Sequence, residues 1–235
     1  MHTSALRIAL IALALVVPVD ARGTPDQLTK GEFDEGRPYY RELIQTALSE
    51  GYESGVRTRA LISSELGEHL IAVRSSGLGF ELFVLRPKIA LSEYEVLRDL
   101  RDGRFDSRLA LTPEELALLQ KELEGTLPRN VRDVPVERCL AQLSERTAAS
   151  IIAAWMRVLS RAQQDTPVDE RLVLDGANFH FWVKEKQEFA GHVYAPNGEW
   201  PSGQLSSVSA EMYKFCKSPT RAGELALERR ANDVR

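Results

Sequence analysis

Apolar and polar positions along the chain change period several times. Over 38–49, Tyr40, Leu43, Ile44 and Ala47 recur at helical spacing; Pro38 suits the first turn and Gly51 the end. From residue 56 onward the pattern alternates. Val56, Thr58, Ala60 and Ile62 face one way, Arg57, Arg59 and Leu61 the other. Runs 69–74 and 80–85 then predict a hairpin around Ser75, Ser76, Gly77 and Gly79, closed by Pro87. Leu66, Leu70 and Val73 also fit a helical period, so a partly helical 57–73 competes with the strand reading.

Helical spacing returns over 92–101, with Ser92 as N-cap, Glu95 completing a capping box and Gly103 at C′. Thr112, Pro113 and Glu115 start a second helix, whose Leu116, Leu119 and Leu123 lead to Gly125. Residues 126–135 hold two prolines without a period and read as a loop. A long helix is predicted over 137–163, with Ser144 a candidate break and a broad stripe of Ile151, Ile152, Trp155, Val158 and Leu159.

The stretch 171–216 combines turn residues, strand periodicity, aromatics, histidines and a cysteine. Asp175-Gly176 between two apolar runs is a hairpin signal. In the second run, Phe179, Phe181 and Val183 alternate with His180, Trp182 and Lys184. A third strand over 189–194 completes a three-stranded meander across about 171–194. Its register is open. A two- or four-residue connection after the second strand sets Phe181 opposite His192; a three-residue loop, 185–187, sets His180 opposite His192. A helix over 205–216 then carries Leu205, Val208, Met212 and Phe215 or Cys216 on one face, and 218–235 reads as a polar tail.

Together these elements predict an α+β fold, with one or more small antiparallel sheets packed against several helices. One domain over 37–217 is the expectation, with a division near residue 110 as the alternative. Residues 22–36 read as a flexible leader. The N-terminus has the layout of a secretory signal peptide over 1–21: Arg7, an apolar run over 8–17, then Val19-Asp20-Ala21, with cleavage after Ala21. A periplasmic or secreted location follows, with no membrane span in the mature chain. In that compartment Cys139 and Cys216 are expected to form a disulfide.

Charge narrows the partners. The 235 residues carry a net charge of −4 with acids and bases interspersed, so no basic stripe points to nucleic acid. Candidate chemistry is sparse. His180 and His192 lie near Asp175, Glu188 and Glu199 in sequence, but no metal-binding spacing occurs, and neither metal nor cofactor is expected. Ser202, Ser206, Ser207 and Ser209 lack a nucleophile elbow. Gly77-Leu78-Gly79 lacks the further residues of a phosphate loop. Carboxylate pairs such as Glu114-Glu115 suit a first helical turn. What remains is a group of aromatics and histidines, Trp182, Tyr194, Trp200, His180 and His192, of a kind that anchors binding surfaces. The expected function is therefore non-enzymatic binding of a protein or envelope partner, as in an inhibitor or immunity-type protein. The alternative is an envelope hydrolase using His180 or His192 with a nearby carboxylate.

Overall fold

The computed structural model describes residues 28–31, 38–64, 67–104, 112–162, 176–194, 196 and 200–235. The signal peptide, the strand predicted over 172–174, and Asp175 and Glu199 lie outside them. The fold is α+β. The strands are β1 (Thr29–Lys30), β2 (Val56–Ser64), β3 (Gly67–Ser76), β4 (Gly79–Pro87), β5 (Val136–Leu143), β6 (Asn178–Lys184) and β7 (Glu188–Tyr194). They form one antiparallel sheet in the order β1-β7-β6-β2-β3-β4-β5. The helices are α1 (Pro38–Ala47), α2 (Leu91–Arg101), α3 (Pro113–Thr126), α4 (Glu145–Leu159), α5 (Pro201–Lys217) and α6 (Arg221–Asn232). Short 3-10 turns occupy Ser49–Tyr52 and Val131–Asp133.

The sheet is buried on both faces. On one side Ala60, Ile71, Val73, Leu82, Val84 and Phe181 meet Ile151, Trp155 and Val158 of α4 and Leu205, Val208 and Met212 of α5. On the other, Leu61, Leu70, Ala72, Phe83 and Leu85 meet Leu43 and Ile44 of α1, Tyr94 and Leu100 of α2 and Leu123 of α3. Trp155 is fully buried, edge-on to Phe181 at 6.0 Å, and its indole N–H donates to the Arg59 carbonyl at 3.2 Å, so its one polar atom is satisfied inside the core.

Strands occupy 56–64 and 67–76, which excludes the helical reading of 57–73. Val56 pairs with Arg74 but Thr58 pairs with Val73, so Arg57 is an extra residue. This bulge moves Val56 to the α1 side, with Leu61, while Ala60 faces α4; the simple alternation expected for β2 fails there. The turn after β6 is the three-residue loop, and His180 stands opposite His192. The hairpin of the predicted meander is thus β6–β7, and β6 pairs along its other edge with β2.

Four expectations need correction. Residues 136–143 are a strand, not the start of a helix. They ladder along the whole of β4, and the Ser144 side chain accepts from the Thr147 N–H to start α4. Ser92 does not cap α2. Ala90 is the cap residue, and the free N–H groups of Leu91 and Ser92 go to the carboxylate of Glu68 on β3, at 2.7 and 3.4 Å. The leader is ordered in part, since Thr29 and Lys30 pair with His192 and Gly191. The polar tail forms α6, which packs on α4 and α5 and buries Leu227 and Ala231; Val234, just past its end, is buried in the same core. At the other end of α2 the expectation holds. Gly103 has φ 68°, its N–H goes to the Leu100 carbonyl, and the Arg104 N–H goes to Asp99, the Schellman pattern. The Thr112–Glu115 capping box also forms.

Cys139 and Cys216 are disulfide-bonded, with Cα atoms 5.9 Å apart and a sequence separation of 77. The bond ties the edge strand β5 to α5. Among the described residues no helix is long and apolar enough to cross a membrane.

Candidate functional site

The residues singled out in the sequence do not form one exposed surface. Trp182 is 7% exposed and lies in the core on the α1 side. Its indole N–H donates to Glu188 Oε1 at 2.6 Å, and its ring covers the Arg59 guanidinium at 4.0 Å. Tyr52 covers the same guanidinium at 4.2 Å, so Arg59 sits between two aromatic faces. His180 is also 7% exposed, and its ring centre is 6.1 Å from that of His192. His192 donates through Nδ1 to the Gly31 carbonyl at 3.0 Å. Among the described residues no group of three His, Cys, Asp or Glu side chains has metal-binding geometry. Tyr194 is half-buried at the end of β7. Trp200 is 51% exposed, but it precedes α5, on the opposite face of the sheet from Trp182.

A concave site lies elsewhere. A cleft of about 540 Å³ opens between α1, α2 and the 3-10 turn Val131–Asp133. Tyr39, Glu42 and Thr46 line it from α1, on the stripe beside the buried Leu43 and Ile44. Tyr94 and Arg98, one helical turn apart, line it from α2. Arg129, Asn130, Arg132 and Asp133 form the third wall.

The loop wall is held from below. The Pro128 carbonyl accepts from Tyr94 Oη at 3.1 Å and from Arg101 Nη1 at 3.2 Å. Burial pushes the Tyr94 phenol up, keeping it protonated as a donor. Asn130 Nδ2 reaches Asp133 Oδ2 at 3.3 Å across the turn. Behind α2, Gln120 Nε2 satisfies the Leu100 carbonyl at 3.0 Å. The cleft is thus built on helices fixed at both ends, and α2 owes its starting position to Glu68.

Its electrostatics are uneven. Arg98 donates to the Tyr39 hydroxyl and pairs with Asp99 at 3.1 Å. Arg129 and Arg132 are exposed and make no ion pair with a described residue. Three guanidinium groups therefore line the cleft with Glu42 and Asp133, and two of the three lack a carboxylate partner among the described residues. A second charged group on the same sheet face differs in this respect. Arg74 pairs with Glu50 at 2.7 Å and with Glu81 at 2.8 Å, and Arg138 with the same Glu50 at 2.5 Å, so its charges are already matched.

Sequence reasoning missed this cleft. Its residues come from three separated segments, and 126–135 was an unstructured connection by pattern. The available signal was local: Arg129 and Arg132 stand between Pro128 and Pro135, a short rigid loop with charges facing outward.

Fold and site define an α+β protein: among the described residues, a seven-stranded antiparallel sheet lies between two helical layers, with an arginine- and tyrosine-lined cleft on one of them. No known protein family matches the chain, and neither a curated protein nor a solved structure was found to be similar to it.

Proposed function

We propose that this protein is a non-enzymatic, exported binding protein whose cleft between α1, α2 and the 131–133 turn accepts an acidic segment of a partner protein, in the manner of an inhibitor or immunity-type protein. The observation that carries the reading is the pair Arg129 and Arg132, exposed at a concave site without carboxylate partners among the described residues. Arginine and tyrosine are enriched at protein interfaces, and both line this cleft. The volume suits a few side chains of a docked segment. Export rests on the N-terminal pattern of 1–21; a disulfide-bonded fold is compatible with it.

A fluorescein-labelled hexaglutamate peptide tests the reading by anisotropy. Binding to the wild-type protein should weaken at least tenfold in the Arg129→Glu/Arg132→Glu variant, on the order of 1.4 kcal/mol or more. It should also fall with rising salt, because the contacts are exposed charge pairs. Equal affinity of wild type and variant would sink the reading, as would binding that salt leaves unchanged.

A further inference from the structure

On the α4 and α5 side of the sheet, the apolar rows of β3 and β4 each end in a base. His69 precedes Ile71 and Val73 on β3, and Arg86 follows Leu82 and Val84 on β4, so all six share that face. Leu70 pairs with Leu85, which makes His69 and Arg86 the next cross-strand neighbours. α5 packs on both strands. Its Tyr213 ring meets His69 edge-on at 6.0 Å, and Lys217 Nζ lies 5.7 Å from the same ring centre. The Cys139–Cys216 bond, one residue before Lys217, ties this end of α5 to β5.

Three basic side chains from three elements thus come together without a counter-ion. Arg86 and Lys217 make no ion pair with a described residue, and Glu137, opposite Arg86 on β5, is exposed and pairs with neither. The negative end of the α5 dipole accounts for a cation at Lys217, but Arg86 and His69 sit on strands. Their crowding has a cost at His69. Burial first, then the Arg86 charge and more weakly the Lys217 charge, push its imidazole below 6.5, against a lift from the Gly67 backbone.

We infer that Arg86, Lys217 and His69 form an anion site that takes a phosphoryl group. A guanidinium offers paired donors to phosphate oxygens, an ammonium adds a compact charge, and an imidazolium gives a third donor. A phosphate monoester carries about −1.5 to −2 at pH 7, which matches two permanent cations and a third that the anion itself holds protonated. The ester can be a soluble molecule or a lipid headgroup; the chemistry at the three bases is the same. The site lies on the face of the sheet opposite the cleft, so the inference does not depend on the acidic-segment reading.

The test follows the His69 ring signal of the full chain by NMR through a pH titration, with His69→Gln for assignment. Glycerol phosphate should move the His69 midpoint up by about 1 pH unit relative to sodium chloride of equal ionic strength. The Arg86→Gln/Lys217→Gln variant should bind glycerol phosphate at least about tenfold more weakly. Lys217→Gln alone, at an exposed position that folding does not need, should weaken it about threefold. Arg129→Glu/Arg132→Glu in the cleft should leave it unchanged, and circular dichroism checks that each variant folds. Vesicles containing phosphatidic acid separate the sources. Co-sedimentation of wild type but not of the double variant assigns a lipid headgroup; glycerol phosphate binding without co-sedimentation assigns a soluble ester. The inference is overturned if neither glycerol phosphate nor the vesicles bind, if the folded variants of Arg86 and Lys217 bind as tightly as wild type, or if acetate moves the His69 midpoint as far as glycerol phosphate does.

Discussion

Glu68 is the residue on which the cleft depends most indirectly. It is 2% exposed, and three donors converge on its carboxylate. The Leu91 N–H is at 2.7 Å from Oε2; the Ser92 N–H and Tyr40 hydroxyl are at 3.4 and 3.0 Å from Oε1. Tyr40 also lies 2.9 Å from Ser63 Oγ, so it keeps an alternative partner. Leu91 is fully buried and has no water to turn to. Replacing Glu68 by alanine strands that amide, at about 1–3 kcal/mol, and weakens the longer bond to Ser92. It also removes a negative charge from a helix N-terminus, about 0.3–1 kcal/mol. The expected loss is about 3 kcal/mol, a large share of the roughly 5–15 kcal/mol that holds a domain together. Glu68→Gln keeps the shape and one acceptor oxygen but turns an amide donor toward the remaining donors, so about half of that loss is expected. Urea unfolding followed by circular dichroism measures both, with equal slopes as the check that the end states are unchanged. Because α2 carries Tyr94 and Arg98, Glu68→Ala should also weaken hexaglutamate binding, although Glu68 does not line the cleft. A cost below about 1 kcal/mol for alanine, or a glutamine variant as unstable as the alanine one, would refute the capping argument.

Two further outcomes follow from other parts of the fold. Reduction of Cys139–Cys216, which closes a span of 77 residues, should lower stability by at most about 4–5 kcal/mol on the chain-entropy account; alkylation of both thiols only after reduction, read by mass, checks the bond itself. His69 packs edge-on to Tyr213 at 6.0 Å, and burial first, then the Arg86 charge, holds its imidazole below the ordinary value of 6.5. The unfolded chain therefore binds the proton more readily, so this contribution is full above pH 6.5 and is lost as pH falls below it. His69→Gln should flatten that limb of the stability–pH curve, and an unchanged limb would rule the group out.

What could be read in the sequence was whatever had both partners nearby. The Thr112–Glu115 box closes within one turn, and the Gly103 terminus needs only local backbone. The α2 start carries an equally good local signature, Ser92 with Glu95, yet a carboxylate from a strand 23 residues earlier takes its amides. The segment VERCLAQL is rich in helix formers, and only pairing with β4 and the bond to α5 make it a strand. In α6 and just past its end the periodic signal existed, as Leu227, Ala231 and Val234, but surrounding charges concealed it. Trp182 shows the limit for function. A tryptophan on an alternating strand can face solvent or a second helical layer, and the sequence did not reveal that α1 covers that side of the sheet.

The sheet order also sets when folding can finish. β2 lies between β3, which follows it at once, and β6, which pairs Thr58 with Val183 across more than half the chain. Until β6 exists, β2 is a sheet edge with apolar side chains on both faces, the kind of surface that recruits other chains. Such long-range pairing makes closure slow. A nascent or truncated chain ending before residue 178 would therefore be the aggregation-prone species.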